Sequence, residues 1–216
     1  MNNSAADNGI RVAGLKTLSS GPVWNFSASA GEAVWIEDAR ESENQWLNWL
    51  SGIEPPPIGE VCWKGVEWRE RSPDEAAQER GRIGCVFAVG GLVINLDMDE
   101  NVWLPSLMHR RDGAEESIEK WSRFFGCLPL PSARASTLSE RDRRRILWTR
   151  AFSGNPAALL LERPMIDMRD EDRKLFLDAV RQVRAAGCVV VWLDESLQPD
   201  TAAALEPLTC VTPEPD

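Results

Sequence analysis

The chain has 216 residues, 43% of them hydrophobic and 27% charged, with a formal net charge of -10 at pH 7. That charge excludes nucleic acid and anionic membrane surfaces as direct electrostatic partners, because both are held through positive patches. The five cysteines are widely spaced and form no C-x-x-C pair, which argues against a disulfide framework or a metal site and for a reduced, cytoplasmic setting.

Along the chain, residues 1–9 read as a polar, disordered tail without the basic and apolar regions of a signal peptide. Residues 11–18, 22–29 and 31–37 read as three strands, and a helix is expected from Ser42 to Leu50, ended by Gly52 and three prolines. Residues 60–68 suggest a strand pair and 82–89 a core strand, followed by a helical middle region. Helices are expected over 140–152 and 170–187, with buried strands at 157–162 and 188–193 and a polar tail from 211 to 216. Apolar strands separated by helices predict an α/β fold around a mainly parallel sheet. No apolar run reaches the roughly 20 residues that span a bilayer, so any membrane role is expected to run through a partner.

Four segments, taken in order from Ile10 to Ser196, resemble the ATP-binding subunits of ABC transporters. "GEAVWIEDARESENQWLNWLSGIEPPPIGEVCWKG" follows without a gap the family pattern of strand, phosphate loop, helix and second strand. "IGCVFAVGGLVINLDMDENVWLP" is similar to the strand and Q-loop region, particularly as in the bacterial lipid-transport (Mce-associated) branch. "LSERDRRRILWTRAFSGNPAALLLERP" resembles the signature motif, its helix and the Walker B strand, and "AAGCVVVWLDES" the strand leading to the switch histidine. The resemblance implies a P-loop NTPase-like (RecA-like) sheet, an antiparallel β subdomain and an inserted α-helical subdomain at about 88–145. All of these would lie within a single unit spanning 10–210.

The functional positions depart from the family pattern. In G-x-x-x-x-G-K-[ST], glycines let backbone amides wrap the phosphates, the lysine neutralises them and the hydroxyl reaches magnesium. The aligned residues here are "DARESENQ", so Asp38, Glu41 and Glu43 stand for glycines, Asn44 for the lysine and Gln45 for the Ser/Thr. A carboxylate about 4 Å from a phosphate charge is repelled by roughly 4 kcal/mol at an effective dielectric of about 20. Ala88 replaces the Q-loop glutamine, and Leu138, Ser139, Glu140, Arg141 and Asp142 stand for the signature L-S-G-G-[QE]. Glu162 stands for the Walker B Asp and Arg163 for the catalytic Glu, although an arginine is too basic to act as a general base. Arg169 replaces the D-loop Asp, and Leu193 falls at the switch histidine, within one residue.

Plainer readings stand beside these. "DARESENQ" reads equally as a polar turn into a helix, Ser42 and Gln45 having capping-box spacing and the acidic residues favouring the helix dipole. His109, the only histidine, reads as a surface residue, and Arg141, Arg143, Arg144, Arg145 and Arg150 read as a solvated helix face. The tryptophans of "QWLNWL" read as core. Leu92, Val93, Leu96 and Trp103 fall where the family forms its groove for the membrane permease subunit, or else pack in the core.

The resemblance and the departures together imply a catalytically degenerate subunit, a pseudo-ATPase. It would have no catalytic residue, no bound metal, and neither the ATP nor the Mg that the family uses. Its place would be in the cytoplasm, peripheral to the inner membrane, as a structural or regulatory component of a transporter, with lipids as a candidate cargo. A permease subunit is the expected partner, together with a second copy or another ABC ATPase subunit. A weak or unusual ATPase using Glu162, and a soluble interaction scaffold outside any transporter, are the alternatives.

Overall fold

The computed structural model describes residues 9–18, 21–37 and 45–214. In chain order the elements are β1 (Ile10–Lys16), β2 (Val23–Ala28), β3 (Ala33–Glu37), α1 (Gln45–Leu50), β4 (Ile58–Trp63), β5 (Val66–Glu67), α2 (Pro73–Arg80) and β6 (Ile83–Val86). There follow α3 (Met98–His109), α4 (Ala114–Phe124), α5 (Glu140–Phe152), β7 (Ala158–Glu162), α6 (Asp170–Ala185), β8 (Val189–Asp194), α7 (Pro199–Leu205) and β9 (Leu208–Val211). They form a parallel sheet in the order β6-β7-β8-β3-β9 and an antiparallel sheet in the order β2-β1-β4-β5.

The continuous apolar runs are explained by burial of the parallel sheet on both faces. Because side chains alternate along a strand, Ala158 and Leu160 of β7 join Val34, Ile36, Val191 and Leu193 in one core, capped by β1, β2 and α1. Leu159 and Leu161 join Val190 and Trp192 in the other, under α5 and α6. Tryptophans supply bulk to both cores. Trp24 meets Trp46 edge to face at 5.3 Å, and Trp148, Phe176 and Trp192 make successive ring contacts of 4.7 and 5.9 Å.

Three elements escape a reading by hydrophobic period. α2 buries only Ala76, so it has no apolar stripe. Its start is nevertheless marked by a capping box, in which Ser72 accepts the Glu75 N–H and Glu75 accepts the Ser72 N–H at 2.9 Å. α7 is a short segment opened by Pro199, and β9 is an edge strand beside β3. The polar end expected as a tail from 211 is instead held: Val211 belongs to β9, and Glu214 exchanges two backbone hydrogen bonds with Val23. Among the described residues no helix is long and apolar enough to cross a membrane.

Candidate functional site

Ligands of open parallel sheets sit beyond the carboxyl ends of the strands. Here β3, β7 and β8 end side by side, with Glu37 in register with Asp194 and Glu162 with Leu193. Asp38, Glu41, Glu43 and Asn44, which follow β3, lie outside the described residues, and so does the Ser42 half of the expected capping box. Gln45 opens α1 and is exposed.

The Glu162 carboxylate accepts the N–H of Ala88 at 3.1 Å, which joins the residues expected at the Walker B and Q-loop positions directly. Arg163 follows with a left-handed φ of 38°, donates its N–H to the Leu193 carbonyl at 2.9 Å and holds its guanidinium 3.8 Å from Glu195. Leu193 lies within β8 and points into the core at 2% exposure. The residues that reach the strand ends there are Asp194 and Glu195. Burial raises the Asp194 pKa above the usual carboxylate range, partly offset by donors from Trp192 and the Glu195 N–H. A cavity of about 300 Å³ opens beside them, lined by Asp167, Asp194 and Glu195 as well as Arg163 and Arg173. The two arginines lie 3.8 Å from Glu195 and Asp200, so the rim carries charges of both signs.

The arginines of α5 are not the solvated face expected from their charge. Arg144 is 4% exposed and donates to the carbonyls of Phe87 at 2.8 Å and Ala88 at 3.0 Å. Burial lowers its pKa, opposed by Glu140 at 3.8 Å, but a guanidinium starts from so high a value that it stays charged. The signal for this burial was the helical spacing Arg144, Leu147, Trp148 and Ala151, which places the arginine on the apolar stripe. Together Glu162 and Arg144 bind both the N–H and the C=O of residue 88.

The residues expected at the signature positions, 138–142, lie at the start of the same helix. Ser139 caps α5 by accepting the Asp142 N–H at 3.2 Å, while Leu138 is half-buried and Glu140 pairs with Arg143. Arg141 donates to Asp172 at 2.6 Å and to Glu171 at 2.6 Å, and Arg145 donates to the same Asp172 at 2.9 Å through Nε. Asp172 has no exposed surface. Burial alone would raise its pKa, but the two guanidiniums outweigh it and hold the carboxyl below its ordinary value. Arg169 is exposed at the N-cap of α6, and His109 is exposed with its ring against Gly81.

Of the four residues read as a permease groove, Leu92 and Trp103 pack on a small core of Met98, Val102, Ile118 and Ile146. Leu96 is half-buried and Val93 is exposed. The sequence reading missed Val89 and Ile94, which are 70% and 76% exposed and flank Val93 in an apolar loop with no period to reveal which side chains face out. It also missed Asn101, which is fully buried, accepts the Val93 N–H at 2.8 Å and donates to the carbonyls of Val93 and Asp97 at 3.0 Å. Asn101→Ala is expected to cost about 1–2 kcal/mol, because part of the freed loop can reach water. Thermal unfolding together with faster amide exchange over 93–97 checks this.

No protein-family model matches the chain. Among curated proteins it is similar to the lipoprotein-releasing system ATP-binding protein LolD of Idiomarina loihiensis, with 27% identity over 168 residues, 76% of this chain and 71% of that one. The corresponding protein of Buchnera aphidicola subsp. Schizaphis graminum is 24% identical over 64% of this chain, and the match spans 62% of that relative's length. The cytochrome c biogenesis ATP-binding export protein CcmA 2 of Cupriavidus metallidurans is 26% identical over 74% of each chain. Among solved structures, the ATP-binding cassette MJ0796, a dimer in a post-hydrolysis state bound to ADP and Pi, superposes with a TM-score of 0.77 at 21% identity over 90% of both chains. By its sheet topology and its superposition on this structure, the chain has the fold of a nucleotide-binding domain of the ATP-binding-cassette type.

Proposed function

We propose that this chain is a pseudo-ATPase subunit: a structural or regulatory component on the cytoplasmic side of a membrane transporter, which neither binds nor hydrolyses ATP in the ordinary way. The observation that carries the reading is the engagement of residue 88, whose N–H is held by Glu162 and whose carbonyl is held by Arg144. Ala88 has no side-chain oxygen to offer a magnesium ion. The next residue after Glu162 is an arginine, which stays protonated and supplies no general base. The acidic sequence "DARESENQ" adds repulsion toward phosphates. These residues do not fit a magnesium nucleotide.

The sequence likeness to the lipoprotein-releasing proteins supports a transporter of lipid-bearing cargo. The exposed Val89, Val93 and Ile94, braced by Asn101, support docking of a permease subunit on that loop. The dimeric MJ0796 neighbour supports pairing with a second copy or with an active subunit. Affinity purification from native membranes is expected to recover a membrane subunit with the wild-type chain and to lose it with Val89→Asp and Ile94→Asp together. A chain that stays in the soluble fraction without a membrane partner would instead support the scaffold reading.

The names of the relatives favour a second reading, an active ATP-binding subunit. The two separate on one comparison. Glu162→Gln keeps an acceptor for the Ala88 N–H, so its melting temperature is expected to match wild type, and phosphate release from MgATP is expected to be equally absent from both. Turnover in wild type that the variant lacks would establish the active subunit.

A further inference from the structure

A separate cavity of about 160 Å³ lies at the opposite end of the parallel sheet, beside Ile83 and Gly84 at the start of β6 and Pro156 just before β7. Its charged lining is Arg111 and Arg150, with no carboxylate among the lining residues. Neither guanidinium has a hydrogen-bond or ion-pair partner among the described residues, although acidic side chains outnumber basic ones by 34 to 24 in the whole chain. Both are half-buried, and desolvation lowers the pKa of each. Holding two partly dehydrated guanidiniums without counter-charges costs free energy that a bound anion would return. Gly154 is part of the arrangement. A Cβ there would fall 1.7 Å from Nη1 of Arg111, so the guanidinium lies directly against the Gly154 backbone and would swing aside for any side chain.

We propose that Arg111 and Arg150 form a binding site for a small tetrahedral oxyanion, a phosphate or sulfate group, distinct from the strand-end site and independent of the pseudo-ATPase reading. The planar N–H fork of arginine matches two oxygens of such a group. The volume equals that of roughly five waters at about 30 Å³ each, enough for one oxyanion with part of its hydration and too little for a whole nucleotide.

The test is calorimetric titration of the full chain with inorganic phosphate at constant ionic strength, with chloride as the control anion. Saturable phosphate binding is expected, weakened at least ten-fold in Arg111→Gln and in Arg150→Gln and unchanged in Arg181→Gln, which removes an equal charge from an exposed pair with Asp178. No saturable binding, or binding that survives both variants, would overturn the site. Should a variant fail to fold, wild-type protein treated with an arginine-selective dicarbonyl gives the same answer. Phosphate is expected to protect Arg111 and Arg150 but not Arg181, and equal modification with and without phosphate contradicts the proposal.

Discussion

Replacing Arg144 with alanine is expected to lower the unfolding free energy by about 3 kcal/mol, the sum of a cavity in the apolar stripe of α5 and two carbonyls left without donors. The guanidinium bridges α5 to residues 87 and 88, so the damage should be local as well as global. The Ala88 amide, still accepted by Glu162, should exchange faster by hydrogen–deuterium measurement while amides of β1 and β2 change only with global stability. Arg144→Lys should recover little of the loss, because an ammonium is a point charge and does not span two carbonyls with a planar fork. Full stability in Arg144→Lys would show that the charge alone matters.

Asp172→Asn is expected to cost about 2 kcal/mol at neutral pH, less than the roughly 3–5 of a fully enclosed pair because Arg141 is open to solvent. The pH dependence has a definite sign. The folded-state pKa of Asp172 is depressed, so its contribution is present above the unfolded value of about 3.9 and is lost as pH falls through the folded pKa. The gap in melting temperature between wild type and Asp172→Asn should therefore be constant near neutrality and close under acid. A gap that persists in acid would mean that Asp172 acts through packing rather than charge.

The parallel strands were legible because burial on both faces leaves runs such as "ALLLE" and "CVVVWL", and α6 was legible from its amphipathic period. α2 was not, since a helix that buries one alanine has no stripe to read, although its Ser72 and Glu75 spelled out the cap. Positions 88, 162 and 163 drew attention through the order of the resembling segments along the chain. Their mutual bonding could not be read there, because it depends on Arg144, whose charge suggested solvent while its spacing put it on the buried face. The same conflict hid Asp172, an acidic residue in the first turn of a helix where the dipole already accounts for it. Val89 and Ile94 lie in a segment apolar on all sides, where only tertiary packing decides which side chains turn outward.

Loss of nucleotide binding is read out by titrating MgATP into the purified chain while following intrinsic tryptophan fluorescence, with calorimetry on the same samples. A pseudo-ATPase shows no saturable change in either signal up to about 1 mM nucleotide, a binding free energy weaker than about 4 kcal/mol. Saturation in the micromolar range by both methods would contradict that reading and return the chain to the active ATP-binding subunits.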